Sequence, residues 1–82
     1  MAERVNAQID GEWGDKAKRI LQAEMRRRGV NAAQLAEKLT AMGVQETDRN
    51  VANKISRSGF TAAFFLQCLT AIGVQTFRLD EG

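Results

Sequence analysis

The residues best suited to chemistry lie in one short run. Arg49, Asn50, Asn53, Lys54, Ser56 and Arg57 fall within nine positions of one another. Arginine can pair bidentately with guanine edges and asparagine with adenine edges, while lysine and serine suit phosphates. Placed on a helix at 100° per residue, Val51 and Ile55 face inward. Arg49, Asn53, Ser56 and Arg57 then face outward, with Asn50 and Lys54 on the edges. This set is apt for the major groove of double-stranded DNA. A merely solvated helix face has a similar composition, so the surrounding elements must decide. Asp48 opens the same run, where its charge suits the helix dipole but opposes a phosphate.

Two further groups call for a role. Arg26, Arg27 and Arg28 close a helical segment, where cations are favourable on their own; the same trio could clamp a phosphate or meet an acidic protein. Glu24 lies close to the middle of an apolar stripe, and a buried carboxylate needs a partner. Arg28, Arg49 and Arg57 are the candidates for an internal ion pair. If Arg57 is the partner, it leaves the DNA-contact set.

Other chemistries lack their residues. The sequence contains no histidine, removing the commonest general acid/base and metal ligand. Cys68 is the single cysteine, so neither an internal disulfide nor a usual structural zinc set can form within the chain. No glycine loop is patterned for phosphate, and no paired-carboxylate pocket is legible. The expectation is a binding protein without cofactor or metal, not an enzyme. Met1-Ala2-Glu3-Arg4 lacks the pattern of a secretion signal, and no apolar run approaches the roughly 20 residues of a membrane span. A reducing cytoplasm is therefore the expected compartment.

Charge is unevenly distributed. The net charge of +2 is modest. However, Glu3, Asp10, Glu12 and Asp15 collect before the body, and Asp80 and Glu81 after it. From Lys16 to Arg78, eleven basic residues face only Glu24, Glu37, Glu46 and Asp48, a net of +7. A basic body of this kind suits a polyanion.

The elements that must position these residues are helices. An 82-residue chain holds one domain. Residues 1–12 show no helical period and end at Asp10-Gly11, which predicts a flexible arm; alternation of Val5, Ala7 and Ile9 would permit a brief strand. A first helix should start near Gly14 or Asp15, with Asp15 as its N-cap. Its apolar stripe is Trp13, Ala17, Ile20, Leu21 and Met25, and Gly29-Val30 stops it. Asn31 caps a second helix, with Gln34 in the reciprocal position and Ala32, Leu35, Ala36, Leu39 and Met42 on its apolar face. Gly43-Val44 repeats the stop.

Thr47 should cap a third helix running to about Arg57, burying Val51, Ile55 and also Ala52. Thr61 caps a fourth over 62–72, closed by Gly73-Val74 and apolar nearly all round. Such a helix is either central to the core or shared with another subunit. The tail 74–79 has extended character, with Phe77 and Leu79 packing back and 80–82 as a short end. Leu39-Thr40-Ala41-Met42-Gly43-Val44-Gln45 nearly repeats Leu69-Thr70-Ala71-Ile72-Gly73-Val74-Gln75. Two copies are too few for a solenoid, and both are helix ends sharing one capping chemistry.

Short helices joined by a glycine-containing turn and flanked by one more on each side suggest a helix-turn-helix core. Gly29-Val30-Asn31 followed by Gln34-Leu35-Ala36 resembles the opening of that unit in the Cro and lambda-repressor class. Asn53-Lys54-Ile55-Ser56-Arg57 with Gly59 resembles the end of its recognition helix, and Leu66, Leu69 and Ile72-Gly73-Val74 its next helix. The likeness covers roughly residues 14–75. That class has a glycine four residues after the alanine of its Leu-Ala pair, whereas here Thr40 stands there. Gly43 comes about one helical turn later. The string from Trp13 to Arg78, with Asn-Lys-Ile-Ser-Arg followed by Phe-x-x-Ala-Phe-Phe-Leu-Gln-Cys-Leu, is also similar to a family of small uncharacterised bacterial proteins, which brings no activity with it.

Together these imply an all-α, four-helix, lambda-repressor-like domain over 13–79 with extended terminal segments. The expected function is DNA binding in transcriptional regulation, with the third helix in the major groove. A homodimer is expected through the fourth helix or the C-terminal segment, since one unit offers few base contacts. The competing expectation is a protein-interaction adaptor that uses the same fold without DNA. RNA is disfavoured by the absence of tyrosine and the scarcity of exposed stacking rings.

Overall fold

The computed structural model describes the backbone of residues 2–80 and the side chains of residues 11–80. It is all-helical: α1 (Ala2–Arg28), α2 (Ala32–Ala41), α3 (Asp48–Arg57) and α4 (Ala62–Ala71). There is no strand among the described residues. Residues 81 and 82, part of the expected C-terminal end, lie outside them.

Three of the four helices end the same way. Gly29, Gly43 and Gly73 hold φ of +66°, +93° and +84°, a left-handed conformation that side chains resist. Each glycine N–H and the following valine N–H turn back into the helix. Val30 donates to the Met25 carbonyl, Val44 to Leu39 and Val74 to Leu69, each at 2.9 Å. This is the Schellman closure, and each valine packs against the core. The near-repeat in the sequence is two copies of this stop.

Helix starts follow the sequence equally closely. Asn31 and Gln34 form a complete capping box, Gln34 N–H donating to Asn31 Oδ1 at 2.8 Å and Asn31 N–H to Gln34 Oε1 at 2.9 Å. Thr47 and Thr61 cap α3 and α4 through hydrogen bonds from Asn50 N–H and Phe64 N–H.

The first helix departs from expectation. It begins at Ala2, so the predicted arm, with its strand option, is instead about three turns of helix. Asp10-Gly11 and Gly14 suggested a break, but glycine inside a helix costs only about 1 kcal/mol, and no proline interrupts the run. Glu12–Lys16 and Asp15–Arg19 stand at acid-before-base spacing of four, which favours helix. Asp15 is therefore an interior residue, not an N-cap. Its carboxylate accepts from Ser58 Oγ at 3.1 Å. Gly14 is where α1 crosses the α3–α4 turn: a Cβ there would stand 3.1 Å from the Gly59 nitrogen.

The core gathers Leu21 and Met25 of α1, Leu35, Ala36 and Leu39 of α2, Val51 and Ile55 of α3, and Phe64, Cys68 and Leu69 of α4 with Ile72 beyond it. Helix α4 buries Phe64, Cys68 and Leu69 in this core, while Ala62, Ala63 and Leu66 are exposed, so only part of its apolar circumference is covered. Phe60 stacks on Phe65, which meets Phe77 edge-on, so Phe77 packs back as expected, whereas Leu79, expected with it, is 67% exposed. Trp13, expected in the core, is instead 61% exposed, at a shallow cleft with Phe65, Phe77 and Leu79. Met42 and Ala52 are likewise exposed. With α1 about 40 Å long, its axis accounts for most of the molecule's 43 Å length. No helix among the described residues is long and apolar enough to cross a membrane.

Candidate nucleic-acid interface

Helix α3 is held by two inward anchors, Val51 and Ile55, both buried. That register leaves Arg49, Asn53, Ser56 and Arg57 exposed together on the outer face, as the sequence spacing required. Asp48 caps its own helix start, its Oδ1 accepting from Arg49 N–H at 2.8 Å.

Two open grooves flank this face. In one, Asp48, Arg49, Ala52 and Asn53 oppose Asn31, Ala32 and Ala33 at the start of α2. In the other, Ala52, Ile55 and Ser56 oppose Lys18, Gln22 and Met25 of α1, again with Ala32. Ala32 and Ala52 belong to both, so the grooves join over a low ridge of two methyl groups. Lys18 Nζ donates to the Ser56 carbonyl at 3.1 Å, tying α1 to the end of α3. The combined surface is mixed: Lys18 and Arg49 stand with Asp48 among polar and apolar side chains, and little steric bulk lies at its centre.

Lys18 and Gln22 were absent from the residues singled out by sequence. Their signal was their spacing, four apart and off the apolar stripe of α1. That spacing carries meaning because α1 packs beside α3, a long-range contact that no local pattern encodes.

The remaining expected residues divide. Asn50 lies on the other flank, in a depression with Thr40, Gln45, Glu46 and Thr47. Next to that, Glu37, Glu46 and Asp48 line an acidic groove between α2 and the start of α3. Lys54 does not present its ammonium at the outer face. It pairs with Glu46, whose side chain is only 7% exposed, and lies 4.9 Å from the Phe64 ring centre. A carboxylate this buried retains a cation in preference to releasing it to a phosphate. Cys68 is buried close by; burial, and then the Glu46 charge, push its thiol up to about 12.

The Arg26–Arg28 cluster is also divided. Glu24 is 4% exposed, and its carboxylate takes Arg27 Nη1 at 2.7 Å and Arg28 Nε at 3.5 Å. Of the three candidate partners only Arg28 is one, joined by Arg27; Arg57 stays in the outward set. Two of the three arginines thus neutralise an internal acid, while Arg26 is exposed beside them. Among the described residues no three His, Cys, Asp or Glu side chains are grouped to hold a metal ion.

A family model matches residues 13–77. The chain belongs to the DUF6471 family. That family is described as a domain of unknown function. No curated protein and no solved structure matches the chain. The DUF6471 match contains α2, α3 and α4 whole, together with Lys18 and Gln22, so both joined grooves lie inside it. It leaves out the first turns of α1.

Proposed function

We propose that this DUF6471 protein binds double-stranded DNA as a helix-turn-helix regulator, acting by recognition without catalysis. The observation that carries the reading is the joined surface around α3. Arg49 and Asn53 are base-reading side chains on an exposed helix face, and the alanines on one side allow close approach. Lys18 and Gln22 extend the same surface across α1 and suit phosphate and edge contacts that fix orientation. Arg57 and Ser56 complete the outer face, whereas Lys54 contributes to holding α3 rather than to the DNA.

In this reading α2 and α3 form the helix-turn-helix unit, and its connection over 42–47 is longer than the usual three or four residues. The acidic groove beside it then limits the footprint, since a phosphate strand would be repelled from Glu37 and Asp48. That groove also favours a second reading, an adaptor that docks a basic protein segment there.

Binding to mixed-sequence duplex DNA over a salt series separates the two. DNA binding predicts affinity falling steeply as salt rises. Arg49→Ala and Asn53→Ala each weaken a preferred site about tenfold or more, and Lys18→Ala lowers the salt slope by about one. No binding by the folded protein at low salt refutes the DNA reading and leaves the adaptor.

A further inference from the structure

Asp48 is an acid on the face assigned above to DNA. It shares the groove at the start of α2 with Arg49 and Asn53, and all three are exposed. Its Oδ1 accepts from the Arg49 backbone N–H at 2.8 Å, which pins the carboxylate to the first turn of α3. That bond leaves most of the acceptor capacity of the carboxylate unused. Asp48 makes no ion pair among the described residues, not even with the guanidinium of its neighbour Arg49. The side chains of Arg49 and Asn53 likewise have no hydrogen-bond partner among the described residues.

The donors and acceptors of this set are selective. A guanidinium only donates and an ionised carboxylate only accepts. In the major groove a G·C pair offers N7 and O6 as adjacent acceptors on guanine, followed by the N4 donor of cytosine. An A·T pair offers an acceptor, a donor, an acceptor and then a methyl group. Only the G·C edge, two acceptors beside a donor, complements an arginine fork beside a carboxylate. Neighbouring positions on a helix differ by about 1.5 Å in height, so Asp48 and Arg49 can address one base pair. Asn53, about 6 Å further along the axis, is left for a different pair.

The charge adds a second effect. A carboxylate near phosphates weakens every complex that does not depend on sequence. Only a site that returns an N–H to it offsets that cost, so the acid separates specific from non-specific binding.

We propose that Asp48 determines specificity on this surface: while Arg49 takes O6 and N7 of a guanine, the Asp48 carboxylate accepts from N4 of the cytosine in the same G·C pair. The inference rests on the DNA reading and names a base pair for it.

Duplexes selected from a random pool by the full chain supply the preferred site. At each G·C pair of that site in turn, cytosine is replaced by the analogue lacking its exocyclic amino group, which leaves the guanine edge intact. At one pair the analogue weakens binding of the parent protein about tenfold, whereas Asp48→Ala binds both duplexes alike. Asp48→Asn, which keeps an oxygen for the Arg49 N–H and so the helix start, loses the discrimination as well. Both variants bind mixed-sequence DNA more tightly than the parent, as removal of a repelling charge requires. An Asp48 that only stabilised the helix start would produce neither effect. A parent protein indifferent to the amino group at every G·C pair, or an Asp48→Ala protein that senses it equally, overturns the proposal and leaves DNA binding standing. A folded protein that binds no duplex at low salt overturns the DNA reading and the proposal with it.

Discussion

Replacing Lys54 with methionine tests whether this lysine belongs to the fold or to the DNA face. The substitution keeps the aliphatic stem and removes the charge, leaving the Glu46 carboxylate, 7% exposed, without its cation. Breaking a fully buried pair costs about 3–5 kcal/mol. Because the lysine side chain is itself 47% exposed, water can reach the vacated site, and about 2 kcal/mol is the better figure. Loss of the cation over the Phe64 ring adds about 0.5–1 kcal/mol. The sum, about 2–3 kcal/mol, corresponds to a fall in Tm of roughly 10–20 °C for a domain of this size. Thermal unfolding followed by circular dichroism reads it directly. Glu46→Gln combined with Lys54→Met should recover much of the loss, since no buried charge is then left alone. A Lys54→Met protein within about 0.5 kcal/mol of the parent would refute the reasoning, because that is the range of an ordinary surface change.

Gly14→Ala should destabilise by about 1 kcal/mol despite alanine's higher helix propensity, because its Cβ would press on the Gly59 backbone at 3.1 Å. Gly11→Ala, with nothing nearby, should instead raise helix content in circular dichroism; the opposite order of the two would show that α1 does not cross the turn as described. The Cys68 thiol, raised from 9.0 to about 12, favours the protonated form when folded. Its contribution to stability is therefore complete below pH 9 and is lost as pH climbs through about 12, a loss that Cys68→Ala abolishes in pH-dependent denaturant titrations. At neutral pH a thiol reagent should label Cys68 only at the rate of opening, and fast labelling of native protein would contradict its burial.

The parts of the fold legible in the sequence were those fixed by neighbours a few residues away. Asn31 with Gln34, Thr47, Thr61 and the three glycine–valine stops each satisfy backbone groups locally, and the helices they bound are where they were expected. Val51 and Ile55 set the register of α3 in the same manner, which placed Arg49, Asn53, Ser56 and Arg57 outward. What depended on distant packing was not legible. Trp13 fits the stripe of α1, yet it is only partly covered by Phe65, Phe77 and Leu79, which come from distant parts of the chain. Asp10-Gly11 resembles a break, although the summed propensity of the surrounding residues carries the helix through. Lys54 has the composition of a DNA contact, but Glu46 reaches it from a loop eight residues earlier and Phe64 from another helix. Glu24 announced its need for a partner by its position in an apolar stripe; that Arg27 would join Arg28 was a matter of side-chain geometry.

The three Gly-Val stops bear on how quickly the chain finds its shape. Each closes with hydrogen bonds spanning at most five residues, and each also delivers a valine to the core. Ring closures this short forfeit little chain entropy. Helix ends and their hydrophobic anchors can therefore form together before any distant pairing is made. A chain organised in this way reaches its native topology through mostly local steps, within the microsecond-to-millisecond range of small helical domains.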